Sequence, residues 1–306
     1  DVPAAENATL GGVIAAGQSG LDRVRLGPVR HHVLGVRAVM ADGTTAKSGG
    51  RLVKNVTGFD LQRLWCGSHG TLCVIVEAAL RLGVAPREER WVTATAKDAA
   101  EACARVRAAA NSALRPIALV AVGEEDAAWT LHAHLGGMRG ALEHELGELL
   151  RQWPGARVLA GDEARAEAAR VRELDPAAHA NAWFRATCAP GRVERALALE
   201  LAHPTWTVHR IVQPASGIAD FRLVPRDGEK LTSDALGAVA QRAAERARAE
   251  LGPGATFTLR NPTRRTAFLL PHLADTSPAA LQQMRALKRA LDPHGVFAGA
   301  RFEEEL

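Results

Sequence analysis

Cysteine is scarce: four residues in 306, at positions 66, 73, 103 and 188, with no C-x-x-C among them. Zinc ribbons and a disulfide-stapled miniprotein are thereby excluded, and a reducing compartment is expected. Long apolar runs are missing. The most apolar stretch, Leu72–Leu80, is broken by Glu77, and nothing approaches the roughly 20 apolar residues of a membrane-spanning helix. A dominant charge is missing as well. The 38 basic and 34 acidic side chains leave a formal charge of +4, and even Arg242–Arg248 alternates with Ala and Glu. Neither nucleic acid nor membrane insertion is expected from such a balance. The chain has no G-x-G-x-x-G fingerprint and no G-K-[ST] phosphate loop, so it is not a dinucleotide or P-loop domain of the usual kind.

What is present is 47% hydrophobic residues in a length of about two domains, enough to bury a large core. Residues 1–86 are rich in Gly and small residues and read as short strands with turns. Val33–Met40 is an apolar run, Ala41-Asp42-Gly43 a turn signal, Thr44–Gly50 a polar stretch, and Asp60 a cap for a short helix carrying Leu61, Leu64 and Trp65. Thr71–Val76 reads as a buried strand. From Trp91 onward, strands alternate with amphipathic helices. Trp91–Ala96, Ile117–Val122, Trp129–Leu135, Val158–Ala160, Trp183–Cys188, Trp206–Val212, Ile218–Val224 and Thr256–Leu259 are expected as strands. Asp98–Ala113, Met138–Trp153, Asp162–Glu173, Val193–Ala202 and Ser233–Leu251 are expected as helices. This order predicts an α+β sandwich, an antiparallel sheet with helices on one face, built as a duplicated ferredoxin-like unit. The division expected is 1–86, 87–270, and a C-terminal helical element 271–306 around Pro278–Ala290.

Two segments carry the chemistry. Ala8–Gly20, ATLGGVIAAGQSG, is nearly bare of side chain, so its backbone can approach a flat or phosphorylated ligand and its N–H groups can cradle anionic oxygens. Tight helix packing and an ordinary glycine turn explain the same composition. Gly67–Glu77, GSHGTLCVIVE, feeds a glycine-bounded turn into an apolar strand, where main-chain donors and acceptors can face a ligand edge. Between them, in fixed order, stand Arg25-Leu26-Gly27, Val33-Leu34-Gly35-Val36 and Lys54–Asp60.

The run from Thr9 to Leu82 resembles the second half of the FAD-binding domain of vanillyl-alcohol-oxidase/PCMH-type flavoproteins, with TLGG, SG, VLG, ADG and GTL-x-VI in succession. The KNVTGFD run, with RL and GSHGTL after it, is most similar to the FAD-binding E subunit of bacterial glycolate oxidase. The C-terminal LKRALDPHGVF resembles that family's closing helix and its D-P-x-G-[IV]-F ending. The resemblance implies an α+β fold with a partial PCMH-type FAD domain and a ferredoxin-like cap, and non-covalent FAD. It places Pro3–Thr9 along the flavin. It also assigns Thr9, Leu10, Gly11, Gly12, Ala15, Ala16, Gly17, Gln18, Ser19 and Gly20 to the cofactor, together with Gly70, Thr71, Leu72, Val74, Ile75 and Val76.

The activity it implies is electron transfer through FAD in a 2-hydroxy-acid dehydrogenase complex. A second flavoprotein subunit and an iron–sulfur subunit are the implied partners, in the cytoplasm or peripheral to the inner membrane through them. A stand-alone FAD oxidase or dehydrogenase and a cofactor-free assembly module are the alternatives. Three departures stand out. The family's N-terminal pyrophosphate-loop subdomain does not precede TLGG, and the chain opens on Asp1, so a truncated form of a longer product is expected. Cys73 replaces a glycine, and Ala298-Gly299-Ala300-Arg301 replaces N-P-G-[KR].

No catalytic residue is assigned. The family's G-D-x-N-x-H metal run is absent. His132 and His134 share a strand face as metal ligands would, but no third ligand completes them, and an exposed strand face is expected. Ser68-His69 are sequence neighbours, not a convergent pair. Thr44–Lys47 reads as a solvated turn, His144–Glu148 is not H-E-x-x-H, and Arg30, His31 and His32 read as surface residues before a strand. Arg260 and Arg264-Arg265 are candidates for a carboxylate or partner contact.

Overall fold

Side-chain caps set where four of the described helices begin. Asp98 Oδ1 accepts the Glu101 N–H (2.8 Å) while Glu101 returns to the Lys97 N–H (2.9 Å), a reciprocal arrangement that satisfies two helix-end donors. Thr9, Thr232 and Ser277 cap their helices through N–H groups three residues on. The computed structural model describes residues 8–53, 58–124, 127–173, 182–227, 229, 231–260 and 276–297.

In chain order the first elements are α1 (Leu10–Ala16), α2 (Arg23–Leu26), β1 (Val33–Val39), β2 (Thr45–Gly49), α3 (Leu61–Trp65) and β3 (Val74–Leu80). Then follow β4 (Glu88–Ala96), α4 (Ala99–Ala110), β5 (Ala118–Gly123), β6 (Trp129–Gly137), α5 (Arg139–Gln152), β7 (Arg157–Leu159) and α6 (Gly161–Glu173). The last are β8 (Ala182–Thr187), α7 (Val193–Ala196), β9 (Trp206–Gln213), β10 (Ile218–Pro225), α8 (Ser233–Glu250), β11 (Thr256–Leu259) and α9 (Pro278–Leu291). Two compact units result. One holds the chain up to Gly20, Gly27–Val84 and the segment from Thr276; the other holds Leu21–Leu26 and Ala85–Asp275.

The first unit is an antiparallel sheet in the order β2-β1-β3. Its core gathers Ile14, Val33, Val36, Ala38, Trp65, Leu72 and Cys73, with Leu291 of α9 packed against it. Thr45–Gly49, expected in a polar turn region, pairs with β1 as β2. Asp60 precedes α3 without a side-chain cap bond; it accepts from Gln62 Nε2 instead (3.1 Å).

The second unit is an eight-stranded sheet in the order β11-β8-β10-β9-β5-β6-β4-β7. It contains two β-α-β-β-α-β passes, β4-α4-β5-β6-α5-β7 and β8-α7-β9-β10-α8-β11. Numbered within each pass, both have the spatial order 4-1-3-2 of a ferredoxin-like unit, and all their pairings are antiparallel. They join where β5 pairs with β9 through Ala121↔Val212 and Val122↔Ile211. The first strands even share a spelling, Trp91-Val-Thr-Ala-Thr-Ala against Trp183-Phe-Arg-Ala-Thr-Cys. Alternation along them sends Val92, Ala94, Phe184 and Ala186 into the core under α4, α5 and α8, and leaves Trp91 and Trp183 on the other face. Phe184 stacks on Phe257 with ring centroids 5.4 Å apart. The helix expected over Val193–Ala202 ends at Ala196. Leu199 and Leu201 are both buried, a spacing of two that one helix face cannot bury.

Gly217 turns β9 into β10 at φ +64, and a Cβ there would overlap the Cys188 carbonyl oxygen. Gly217→Ala is therefore expected to lower stability by about 2 kcal/mol or more, read as a fall in urea midpoint at unchanged m-value.

Candidate functional site

The two glycine-rich segments meet in the first unit. Helix α1 stops at Gly17, φ +60, whose N–H returns to the Ile14 carbonyl (3.0 Å) while Gln18 bonds the Val13 carbonyl (3.1 Å), a left-handed helix stop. The last carbonyls are then shared with the second segment. Gly67 N–H donates to Ile14 O (3.1 Å) and His69 N–H to Ala15 O (2.7 Å). The approach leaves no room for side chains, since a Cβ on Gly17 would sit 3.2 Å from Gly67 Cα. At the other end of α1, a Cβ on Gly11 would sit 3.0 Å from the Ile75 carbonyl oxygen of β3. His69 takes φ 53, alone among described non-glycine residues in that region.

Two expectations are corrected here. Within Ala8–Gly20, Leu10–Ala16 is a helix capped by Thr9 and stopped at Gly17, the tight-packing alternative and not an open bend, and the Gly67 and His69 amides donate to α1 carbonyls instead of facing a ligand. The strand also begins later than Thr71 and is less buried: Thr71, Leu72 and Cys73 are buried, β3 runs Val74–Leu80, and Val74 and Val76 are 52% and 55% exposed.

The sixteen assigned residues therefore divide. Ser19, Thr71 and Leu72 hold the unit together. Ser19 Oγ accepts the Val29 N–H (2.9 Å), and Thr71 Oγ1 donates to Ser68 O (2.7 Å). Ala15, Ala16, Gly17, Gln18 and Gly20 are half-buried around the α1 stop. Thr9, Leu10 and Gly12 are exposed, Gly11 and Ile75 half-buried between them and β3, and Val74 and Val76 exposed. A Cβ on Gly70 would meet nothing within 4 Å. Leu10 on α1 and Val74 and Val76 on β3 are thus exposed apolar side chains near bare backbone. Pro3–Asn7, Lys54–Thr57, Asn261–Arg265 and Ala298–Arg301 lie outside the described residues. The Cys73 thiol is pushed up to about 11 by burial and that of Cys66 is raised for the same reason, so neither is a ready thiolate.

The sequence reading missed the anchor of this region. Lys288 Nζ on α9 donates to Thr71 O (2.9 Å), Phe297 O (2.7 Å) and Asp292 Oδ2 (2.5 Å). Asp292 also accepts the Val296 and Phe297 N–H groups, both at 2.8 Å. Burial works to raise its pKa, but Lys288 and those two N–H groups hold it below the ordinary carboxylate value. The D-P-H-G-V-F ending thus closes a ring of hydrogen bonds onto the threonine of the GTL segment.

In the second unit, His132 and His134 are buried, not exposed. Glu167 of α6 lies 3.5 Å from His132 Nδ1. Trp91 Nε1 donates to that same Nδ1 (3.2 Å), which leaves Nε2 to carry the proton toward Thr130 Oγ1 (3.0 Å). Burial pushes the His132 pKa down to about 4 against an upward pull from Glu167. Among the described residues no group of three His, Cys, Asp or Glu is placed to hold a metal ion. In the matching place of the second pass, Asp220 binds Arg185 through both oxygens (2.7 and 2.9 Å) and accepts from Trp183 Nε1 (2.7 Å). The Arg222 guanidinium lies 3.7 Å from the Trp183 ring centroid. Burial opposes the charge on Asp220, and Arg185 and Arg222 overcome it. The same cluster includes Arg260, 5.9 Å from that centroid. A W-x-R strand opposite D-x-R was the available signal.

Comparison with known proteins supplies relatives for part of the chain. No protein-family model matches it. Over 80 residues, 26% of this chain and 18% of the relative, it is 45% identical to a D-lactate dehydrogenase of Archaeoglobus fulgidus. Over 82 residues, 27% of this chain and 23% of the relative, it is 43% identical to glycolate oxidase subunit GlcE of Escherichia coli (strain K12). The matched stretch thus spans about a fifth of these curated relatives. A solved structure of alkyldihydroxyacetonephosphate synthase superposes on 95% of this chain and 58% of its own, with a TM-score of 0.65 and 13% identity. The fold is that of the vanillyl-alcohol-oxidase/PCMH type, and the matched stretch is homologous to FAD-linked oxidoreductases.

Asp220→Ala strands the Arg185 charge and is expected to cost about 3–5 kcal/mol, measured by urea unfolding. For His132, a folded pKa of about 4 lies below the unfolded value. Its contribution is therefore full above pH 6.5 and lost as pH falls from 6.5 toward 4, by roughly 3 kcal/mol. His132→Gln is expected to flatten the wild-type loss of stability between pH 7 and pH 4.5.

Proposed function

We propose that this chain, homologous in part to FAD-linked oxidoreductases, binds FAD non-covalently on the face made by α1, the Gly67–Gly70 turn and β3. The observation that carries this reading is the side-chain-free contact between α1 and the second glycine segment, which leaves Leu10, Val74 and Val76 about half exposed. A flat aromatic ring system covers such a patch where a bulky neighbouring side chain would block it. Leu10, Val74 and Val76 give the ring apolar contact, Gly11, Gly12 and Gly70 leave it room, and Thr9 orients the start of α1. Lys288 and Asp292 act at one remove by fixing the Thr71 carbonyl. FAD, when bound, supplies two-electron acceptance and onward transfer.

At the level of the whole protein, the likeness to GlcE supports an electron-transferring subunit of a glycolate-oxidase-type, 2-hydroxy-acid dehydrogenase complex, with a second flavoprotein subunit and an iron–sulfur subunit as partners. Such a complex would reside in the cytoplasm or reach the inner membrane through its partners; no described helix is long and apolar enough to cross a membrane. The likeness to a D-lactate dehydrogenase favours a second reading, in which the protein oxidises a small hydroxy acid alone.

Titrating FAD into the purified chain is expected to quench flavin fluorescence saturably. Leu10→Glu and Val76→Glu, both at exposed positions, are expected to weaken uptake about tenfold or more at unchanged circular dichroism. No uptake, or uptake indifferent to both substitutions, rejects the site. Turnover of glycolate or D-lactate with an artificial acceptor and no added subunit selects the second reading.

A further inference from the structure

The open face of the first unit's sheet carries charges that its own fold does not balance. Arg37 on β1 stands directly opposite Lys47 on β2, a like-charge pair that costs sheet stability. Glu77 on β3 stands opposite Arg37 on its other side and pairs with it at 3.2 Å. Arg51, just beyond β2, is a third cation. Among the described residues neither Lys47 nor Arg51 has an ion-pair or hydrogen-bond partner. Three cations thus answer to one carboxylate.

These groups surround a cleft of about 170 Å³ whose floor includes Gly35 and Gly50. Gly35 is obligatorily bare, because a Cβ there would sit 2.6 Å from Gly50 N. A neighbouring cleft of about 500 Å³ shares Arg51 and Glu77 with the first and is walled by Leu34, Ala78 and Leu80. The charged cleft alone is smaller than the roughly 300–1,000 Å³ of sites that enclose drug-sized ligands. It has room for one compact anionic group, and the neighbouring cleft, with its Leu34, Ala78 and Leu80 wall, has room for what that group carries.

We propose that this pair of clefts binds a phosphomonoester. Its phosphate lies among Lys47, Arg37 and Arg51, and its organic part lies against Leu34, Ala78 and Leu80. A phosphate near −2 offsets the two unmatched cations, where a carboxylate leaves one over. The combination of guanidinium forks with a lysine point charge suits phosphate oxygens. The site shares β3 with the flavin reading through Glu77, Ala78 and Leu80, but its cations Arg37, Lys47 and Arg51 lie on and beyond β1 and β2, so the two readings are tested by different substitutions.

The test is calorimetric titration of the whole chain at low salt with two probes, inorganic phosphate and phenyl phosphate. Both are expected to bind saturably, phenyl phosphate the more tightly, and added salt to weaken both. Lys47→Gln and Arg51→Gln are each expected to weaken binding about tenfold with circular dichroism unchanged. Arg63→Gln, an exposed arginine of α3 paired with Asp60 at 3.3 Å, is expected to leave it unaltered. Binding by phosphate and phenyl phosphate with equal affinity overturns the monoester assignment. Absence of saturable binding, equal loss in Arg63→Gln, or indifference to Lys47→Gln and Arg51→Gln overturns the site itself. Repeating the titration with FAD present keeps the two readings apart: phosphate binding is expected whether or not FAD is taken up.

Discussion

The His69 N–H donates to the Ala15 carbonyl at 2.7 Å, and much of the first unit follows from what that bond requires. To reach the end of α1, the turn must bring main chain against main chain, so a Cβ on Gly17 would crowd Gly67 Cα at 3.2 Å, and Gly67 itself takes a left-handed backbone at φ +90. His69 accepts a left-handed backbone, φ 53, a conformation that costs a non-glycine residue of order 1 kcal/mol or more. Ile14 then sits fully buried beneath the contact with Trp65 and Cys73, while Leu10, at the start of the same helix, stays outside. The exposure of apolar side chains on α1 and β3 near bare backbone is a consequence of the packing. Its chemical use is what the flavin reading adds.

The second unit shows how one sheet serves two purposes. Its two ferredoxin-like passes send aliphatic and aromatic residues such as Val92, Ala94, Phe184 and Phe221 toward the helices, and the same alternation sends Trp91, His132 and His134, or Trp183, Arg185, Asp220 and Arg222, to the other side. In both passes a tryptophan on the first strand donates its indole N–H to a polar residue on the third, His132 or Asp220. The repetition WVTATA/WFRATC gives this correspondence a sequence trace. The chemistry on the two halves has diverged, with neutral imidazole in one and an arginine–aspartate–tryptophan cluster in the other.

Much of this architecture was legible in the sequence. Period-two alternation located the strands of the second unit because Val92, Ala94 and Ala96 face one core, whereas the one cap read from the sequence, Asp60, makes no cap bond. Helix α1 was harder to see. Two adjacent glycines lower helix propensity by nearly 2 kcal/mol relative to alanine, and this helix is held by contact with β3 and the Gly67–Gly70 turn, which local sequence does not report. The burial of His132 escaped for a related reason: α6, a strongly charged helix far along the chain, lies over it, and no periodicity in β6 announces a cover. Composition marked where backbone is bare but not which amides are already spent, so it did not separate Gly12, Gly67 and His69, whose N–H groups are bonded, from Gly11 and Gly70. The Lys288–Asp292 ring was visible only as a motif ending; its link to Thr71 needed the fold.

The central claim is that the bare-backbone contact between α1 and the second glycine segment presents the cofactor surface. Amide chemical-shift mapping on isotopically labelled chain with added FAD tests it most directly. The account predicts perturbations concentrated at Leu10–Gly12, Gly70 and Val74–Val76, with Gly67 and His69 keeping the slow exchange of hydrogen-bonded amides. Perturbations confined to the eight-stranded sheet, or none anywhere while FAD binds, would contradict it.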